Sequence, residues 1–133
     1  MSLEQQELTG RIIGAAIAVH RELGPGFLET VYDNALVLEL RYRNIPFQRQ
    51  LCAPIVYRGV EVGLHRLDLF VANEIVVELK AVKDITDVHF AVVRSYLRAT
   101  GRKHGLILNF AKPTLEAKRV MAPTDPSCTS CIP

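Results

Sequence analysis

The stretch from Arg66 to Lys80 constrains the fold of this chain more than any other part of its sequence. It is typical of two short strands joined by a three-residue turn at 72–74, which places Asp68 opposite Glu78 and Arg66 opposite Lys80. Because side chains alternate along a strand, one face is predicted to be apolar and the other charged. The predicted apolar face carries Leu67, Leu69, Val71, Ile75, Val77 and Leu79. The predicted charged face carries Asp68, Phe70, Val76, Glu78 and Lys80.

Two interpretations of the charged cluster at one end of this hairpin are open. Antiparallel sheets often have one wet face on which acidic and basic residues form weak cross-strand pairs, and the hairpin alone favours this interpretation. Phe70 and Val76 share the charged face, however, which indicates that the face is partly covered. Carboxylates beside a covered face need a partner, and a metal ion is a common one.

The length and composition favour one folded domain. The chain has 133 residues, of which 49% are hydrophobic, enough to build a core. We predict a single domain over residues 1–121 and a flexible tail over residues 122–133. The tail contains Cys128 and Cys131, which lack the further ligands of a zinc site, so metal binding between chains is a minor alternative. Cys52 is predicted to be buried, and the histidines at 20, 65, 89 and 104 to lie at the surface or at strand ends.

Charge and hydropathy restrict the partners and the location. A net charge of +2 is too small for a wholly basic surface, so any nucleic-acid-binding patch must be local. The sequence contains no apolar run as long as a membrane span and no visible signal peptide. We therefore expect no membrane association and a cytoplasmic location.

The remaining elements complete an α/β (α+β) domain with a mixed central sheet. Helices are predicted over residues 3–23, 27–43 and 86–100, strands over 47–62 and 105–110, and residues 112–121 are ambiguous. The apolar side of the second helix is predicted to carry Leu28, Val31, Tyr32, Ala35, Leu36 and Leu38. Glu29 either complements the dipole of this helix or, on a line with Tyr32 and Leu36, points towards the sheet.

The third predicted helix carries basic residues at regular spacing. Arg94, Arg98 and Arg102 recur every fourth residue, and Lys103 follows directly. Such a stripe is more often a solvated face than a binding surface. The alternative is that these residues hold the backbone phosphates of a nucleic acid.

Several linked motifs, in this order, resemble the GxxExxY protein family of the PD-(D/E)XK nuclease-like superfamily. The motifs lie at residues 19–26, 26–32, 66–68, 77–81 and 96–101, so that the resemblance runs from the first helix to Phe110. It implies a restriction-endonuclease-like core. Glu29 resembles the helical acidic residue of the superfamily, Asp68 its metal-binding aspartate, and Glu78 and Lys80 its (D/E)xK pair.

The resemblance implies a Mg²⁺- or Mn²⁺-dependent nuclease that hydrolyses phosphodiester bonds in DNA. Asp68 and Glu78 would hold the ion, and Glu29 would bind it through water or take a second ion. Lys80 would position the attacking water or neutralise charge that develops on the phosphate. The basic residues that would contact flanking phosphates are Arg94, Arg98, Arg102 and Lys103.

One departure from the family pattern favours other functions. The third helix of the family usually carries a glutamine about four residues before its Tyr-Leu, and this chain has Val92 there. A nucleic-acid-binding module that lacks turnover is therefore the first alternative, and a structural or regulatory interaction protein is the second. The choice between DNA and RNA, and between a monomer and a homodimer, is open.

Overall fold

The computed structural model describes residues 3–122. The helices are α1, Leu3–Leu23; α2, Glu29–Tyr42; and α3, Asp87–Thr100. The strands are β1, Phe47–Tyr57; β2, Val60–Val71; β3, Ile75–Lys80; β4, His104–Asn109; and β5, Glu116–Met121. The predicted order of elements is confirmed, and β5 occupies most of the ambiguous segment. The predicted tail beyond Ala122, with Cys128 and Cys131, lies outside the described residues.

The five strands form one mixed sheet in the order β1-β2-β3-β4-β5. Neighbouring strands are antiparallel except β3 and β4, which are parallel and are joined by the crossover helix α3. This is the α+β arrangement with a mixed central sheet that the sequence predicts. None of the helices within residues 3–122 is long and apolar enough to cross a membrane.

Each face of the sheet has its own hydrophobic core. Helices α1 and α2 cover one face, and α3 covers the other. The predicted apolar face of the hairpin is confirmed for every residue except Leu67, which packs in the α3 core. Gln50 has a φ of 53°, and the ladder between β1 and β2 lacks a pair between Gln50 and Asp68. The alternation of side chains along β2 is therefore interrupted between Leu69 and Leu67, so that Leu67 faces α3 while Leu69 faces α1 and α2.

The buried side of α2 differs from the predicted one. The fully or nearly buried residues of α2 are Tyr32, Leu36, Val37 and Leu40, whereas Leu28, Val31 and Leu38 are exposed. Residues four apart lie above one another on a helix, so the line from Tyr32 through Leu36 to Leu40 faces the core. Val31 and Leu38 lie off this line, and Leu28 precedes the helix.

Two predictions about single side chains are also wrong. Cys52 is exposed, because Ala53 and not Cys52 points from β1 into the α3 core. His20 is buried at the end of α1, where its Nε2 lies 2.8 Å from the Lys112 carbonyl oxygen. His104 begins β4, as expected for a strand end, but is buried as well.

The approach of α3 to the sheet requires a residue without a side chain at position 105. A Cβ atom added to Gly105 would lie 2.9 Å from Val93 Cγ1 and 3.2 Å from the Val76 carbonyl oxygen. We therefore expect Gly105→Ala to lower the free energy of unfolding by about 1–3 kcal/mol, measured by urea denaturation. Gly10→Ala is the control, since nothing lies within 4 Å of the added atom on α1, and it should not destabilise. Equal stability of Gly105→Ala and the unmodified protein would contradict this packing.

Candidate active site

Asp68, Glu78 and Lys80 meet where β2 and β3 separate. The last residue pair between these strands is Leu69 with Val77. Beyond it, Asp68 Oδ2 accepts a hydrogen bond from the Leu79 backbone N–H at 3.0 Å. Lys80 Nζ lies 3.3 Å from Glu78 Oε2. The structure thus places the three side chains next to one another, as the register of the hairpin predicts.

The two carboxyl groups of this cluster share an unfavourable environment. Burial, followed by the nearby charge of Asp68, raises the pKa of Glu78 to about 7, and Lys80 only partly opposes the shift. Burial also raises the pKa of Asp68, and the Leu79 N–H opposes that shift. Near neutral pH Glu78 is therefore only partly ionised beside Asp68.

The acidic pair fits a divalent cation of the magnesium type. Glu78 is only 7% exposed, and its buried Oε1 has no hydrogen-bond partner among residues 3–122. A buried carboxylate oxygen without a partner needs a cation or an unobserved donor. Within the same residues no three His, Cys, Asp or Glu side chains converge into a complete metal site. Mg²⁺ does not require one, because it keeps several waters and binds through one or two carboxylates together with substrate phosphates.

The Gly26-x-x-Glu29-x-x-Tyr32 motif fixes the beginning of α2. The buried Tyr32 hydroxyl donates to the Gly24 carbonyl oxygen at 2.6 Å and accepts from the Phe27 N–H at 3.2 Å. The Tyr32 ring stacks on Phe110 with 4.5 Å between centroids. The glycine of the motif has a φ of 114°, which other residues rarely adopt. Tyr32 therefore ties the start of α2 to Phe110, directly after β4.

Phe110 in turn connects this end of α2 with the end of β3. Its backbone N–H donates to the Lys80 carbonyl oxygen at 2.9 Å. The start of α2 and the end of β3 consequently lie at the same edge of the domain. Glu29, the first residue of α2, therefore lies at the edge of the domain where β3 ends.

Glu29 itself is not brought into contact with the other three predicted site residues. It is exposed and forms no ion pair or side-chain hydrogen bond within the described part of the chain. Helix α2 begins at Glu29, two residues later than predicted. Its side chain therefore lies at the exposed end of the helix and not along the packed side.

The acidic residue of α2 that acts on the pair is Asp33, which the sequence analysis missed. Its charge contributes to the raised pKa of Asp68. Arg49 Nη2 lies 3.2 Å from Asp33 Oδ2, and the other oxygen, Oδ1, is buried without a hydrogen-bond partner within residues 3–122. The available signal was its position one helical turn after Glu29, on the same side of α2.

Tyr96 is the residue of α3 whose pKa is affected by the charges of the acidic pair. Burial, followed by the charges of Glu78 and Asp68, raises the pKa of Tyr96 to about 12. The phenol therefore stays protonated near the two carboxyl groups. Val92, where the family pattern has glutamine, is half-buried against the α3 core and contributes no polar group.

Asn109 is a second residue that sequence reasoning missed. It is fully buried and pairs with Lys80 across the parallel strands β3 and β4. Its side chain accepts from the Val82 N–H at 3.1 Å and donates to the Val82 carbonyl oxygen at 2.8 Å. These bonds hold the segment that leaves β3 directly after Lys80. The signal was a single polar residue inside the apolar run of β4.

The four predicted phosphate-binding residues do not form one continuous helical stripe. Helix α3 ends at Thr100, and Gly101 adopts a left-handed φ of 71°, so Arg102 and Lys103 leave the helical line. The Arg102 guanidinium lies over the Phe70 ring at 6.0 Å, and that of Arg94 lies over Phe90 at 5.8 Å. The other two residues, Arg98 and Lys103, are exposed.

Comparisons with known proteins agree with this arrangement. Residues 6–120 match a family model described as PD-(D/E)XK nuclease superfamily. A solved structure, "Crystal structure of SSO0001", superimposes with a TM-score of 0.57 at 16% sequence identity. The similarity covers 75% of this chain and 53% of the other, so this chain spans about half the length of that protein. At 16% identity the superposition supports a shared fold alone. No curated protein matches the sequence.

The family match, the restriction-endonuclease-like arrangement of sheet and helices, and the Asp68, Glu78 and Lys80 cluster lead to one classification. The match extends over most of the chain, from within α1 to within β5. This chain belongs to the PD-(D/E)XK nuclease superfamily.

Proposed function

We propose that this protein is a Mg²⁺- or Mn²⁺-dependent nuclease that hydrolyses phosphodiester bonds in DNA, and that within its superfamily it is a GxxExxY protein. The observation that carries the proposal is the buried Glu78 carboxyl group. It lies beside Asp68, has Lys80 Nζ at 3.3 Å and keeps one oxygen without a partner within the described residues. Such an arrangement costs stability, because burial and the neighbouring charge both oppose ionisation of Glu78. A binding role for the carboxylates explains why the cost is retained.

Each residue of the cluster has a separate role in this proposal. Asp68 and Glu78 would hold the metal ion, which, when bound, polarises the phosphodiester and acidifies a water molecule. The Leu79 N–H orients Asp68 by donating to Oδ2, so the Oδ1 atom of Asp68 remains for a ligand. Lys80 is placed to neutralise charge that develops on the phosphate in the transition state.

Glu29 keeps the more remote role that its position allows. Its carboxylate is exposed at the edge where β3 ends, so we propose that it acts on the metal through water or holds a second ion. Asp33 lies one turn further along α2 and influences Asp68 electrostatically. Glu29 is therefore expected to matter less for metal affinity than either Asp68 or Glu78.

The basic residues of α3 and of the segment that follows it would supply affinity for the DNA backbone. Arg94, Arg98 and Lys103 are exposed, and Arg102 is held over Phe70. Contacts of this kind neutralise phosphates without selecting a sequence. Binding of DNA should accordingly weaken as the salt concentration rises.

A second candidate function rests on Val92. The apolar side chain at this position leaves the acidic pair without the polar group that the family pattern supplies from α3. A nuclease-like domain that binds nucleic acid without cutting it is therefore the competing proposal. A structural or regulatory interaction protein is the third, and it predicts neither cleavage nor binding.

A cleavage assay separates these functions. Purified protein is incubated with single- and double-stranded DNA and RNA in Mg²⁺, in Mn²⁺ or with a chelator. Metal-dependent cutting of DNA supports the nuclease. Salt-dependent binding without cutting under any metal supports the binding module, and absence of both supports the interaction protein.

Metal binding should depend on the acidic pair. We expect calorimetric titration with Mn²⁺ to show weak binding, because only two carboxylates and solvent supply ligands in the absence of nucleic acid. The heat should disappear in a double variant with Asp68→Ala and Glu78→Ala. Glu61→Ala, which removes an exposed carboxylate from β2, is the matched control and should bind as the unmodified protein does. Equal heats for all three proteins would exclude this metal site.

A further inference from the structure

A cavity of about 300 Å³ lies between α3 and the outer part of the β1–β2 hairpin. Its walls combine apolar and polar groups: Pro54, Ile55, Val56, His65, Ser95, Arg98 and Ala99. The volume is at the lower end of the range for small-ligand sites, and the mixture of an apolar lining with a few polar groups is typical of such sites. The acidic pair does not line this cavity, so the proposed chemistry leaves it unexplained.

The polar groups of the cavity are already organised. His65 Nε2 lies 2.6 Å from Ser95 Oγ, which is a short hydrogen bond between β2 and α3. Burial lowers the pKa of His65, so this pair is neutral at pH 7 and offers hydrogen bonds without charge. Arg98, one turn along α3 from Arg94, is exposed and supplies the positive charge among the lining residues.

Tyr96 connects the cavity with the proposed catalytic centre. The His65 and Tyr96 rings meet edge to face with 4.4 Å between centroids. Tyr96 also lies within electrostatic reach of Glu78 and Asp68. The cavity and the acidic pair are therefore neighbours on the α3 side of the sheet, with Tyr96 between them.

We propose that this cavity binds the nucleobase of a nucleotide adjacent to the scissile phosphate, with His65 and Ser95 at the edge of the base and Arg98 on its phosphate. The inference rests on the proposed nuclease function and deepens it by naming a second substrate contact. An apolar slot suits the faces of a base, the neutral pair suits its hydrogen-bonding edge, and the arginine suits the attached anion. The ligand chemistry is that of a nucleotide, either within a strand or free.

Base occupancy is tested by removing bases one at a time. Fluorescence anisotropy, without added metal so that no cutting occurs, measures the affinity for short single-stranded DNAs with one abasic site at successive positions. We expect one position to weaken binding by about tenfold in the unmodified protein. Ala99→Leu, which fills the cavity, should bind intact DNA about tenfold more weakly than the unmodified protein does. An abasic site at the sensitive position should not weaken its binding further.

Two further variants keep the test independent of folding. Ala91→Leu makes the same change at an exposed site of α3 and should behave as the unmodified protein. Arg98→Gln preserves the shape of the cavity and should weaken binding of intact and abasic DNA by similar factors, because it removes only the phosphate contact. Circular dichroism shows whether each variant is folded.

A second experiment titrates the protein with deoxynucleoside monophosphates and follows the NMR chemical shifts of the backbone amides of residues 95 and 99. Shifts that disappear in Ala99→Leu support the inference when the abasic position is also found. Shifts by monophosphates without any sensitive position in DNA would show a site for free nucleotides and overturn the assignment to the strand.

The outcomes separate the inference from the nuclease proposal. A sensitive position together with amide shifts, but no cleavage with any metal, supports the base site and refutes the nuclease. If the protein cleaves DNA with a metal, but no abasic position weakens binding and the amides of Ser95 and Ala99 do not shift, the base site is overturned and the nuclease proposal stands. Absence of binding to DNA and monophosphates alike overturns the base site as well.

Discussion

Replacing Lys80 with alanine is expected to slow DNA cleavage by about 10²–10³-fold while DNA affinity stays nearly unchanged. This factor is typical of removing one group that stabilises charge in a transition state. The ammonium group lies 3.3 Å from Glu78 Oε2. In the proposed function a phosphate held by the acidic pair would therefore develop its charge close to Lys80. Because an interaction of this kind strengthens only in the transition state, its loss lowers the rate constant more than the binding constant.

Lys80 has a second effect that the experiment must separate from the first. Its charge and its hydrogen bond both oppose the raised pKa of Glu78, so Lys80→Ala raises that pKa above about 7. At neutral pH part of the lost activity would then come from a protonated Glu78. At pH 9 Glu78 is ionised in the unmodified protein. Where the rate of the variant no longer rises with pH, its Glu78 is ionised as well, and the difference in rate that persists there measures the direct role of Lys80.

Lys83→Ala is the matched control for this prediction. Lys83 is exposed three residues after Lys80 and does not touch the acidic pair within the described structure. It should cleave at the unmodified rate. Full recovery of Lys80→Ala at pH 9 would show that Lys80 acts only through Glu78, and would contradict its role on the phosphate.

Glu78→Gln is expected to stabilise the protein at pH 8 while it abolishes cleavage. The pKa of Glu78 rises from 4.5 in the unfolded chain to about 7 in the folded one. Between these values the folded chain keeps a proton that the unfolded chain has released, so stability falls as the pH rises from about 4.5 to 7. The loss is on the order of 3 kcal/mol, and it is complete above the folded pKa.

Glutamine removes this pH-dependent loss because it cannot ionise. Its side chain has nearly the same size and shape as that of glutamate, and its oxygen can still accept from Lys80. At pH 8 we therefore expect an increase in Tm on the order of 10 °C relative to the unmodified protein. At pH 5 the two proteins should differ little.

Thermal denaturation from pH 5 to pH 9 checks this prediction. Glu61→Gln, the same change at an exposed position of β2, should follow the unmodified protein at every pH. Added Mg²⁺ should raise the Tm of the unmodified protein at pH 8 but not that of Glu78→Gln, since the cation needs the ionised carboxylate. Parallel Tm curves for Glu78→Gln and the unmodified protein would show that Glu78 is not destabilising.

The local pattern of the sequence was enough to predict the elements that obey one period. The helix predicted over residues 3–23 is α1, and its buried residues Ile12, Ala15, Ala16 and Val19 recur at the steps of three and four residues that mark an amphipathic helix. The strand alternation and the three-residue turn predict a register that places Asp68 opposite Glu78. The observed pairs, from Val71 with Ile75 to Leu69 with Val77, have this register, and the strands separate before Asp68. The same alternation predicts that Lys80 shares the face of Glu78, and the resemblance to the family adds the roles expected of the two residues.

Other features of the candidate site depend on contacts that no local pattern contains. The exposed position of Glu29 follows from where α2 starts relative to the sheet, and Tyr32 sets that start by stacking on the distant Phe110. The influence of Asp33 on Asp68 depends on how α2 is placed beside the sheet. In the sequence Asn109 only interrupts an apolar strand. Its role becomes visible in the folded structure, where its side chain forms hydrogen bonds with the backbone of Val82.

The sequence by itself determined the order of the helices and strands and the alternation of faces along most of the β2–β3 hairpin, because periodicity is a property of the backbone geometry and of neighbours in the chain. Only the tertiary structure decided how the environment acts on those residues. Leu67 faces α3 because β1 and β2 interrupt their pairing at Gln50. The pKa of Glu78 is raised to about 7 because burial in the folded domain and the charge of Asp68 oppose its ionisation. Burial and electrostatic fields are sums over elements far apart in sequence, so they arise only when the sheet and its covering helices assemble.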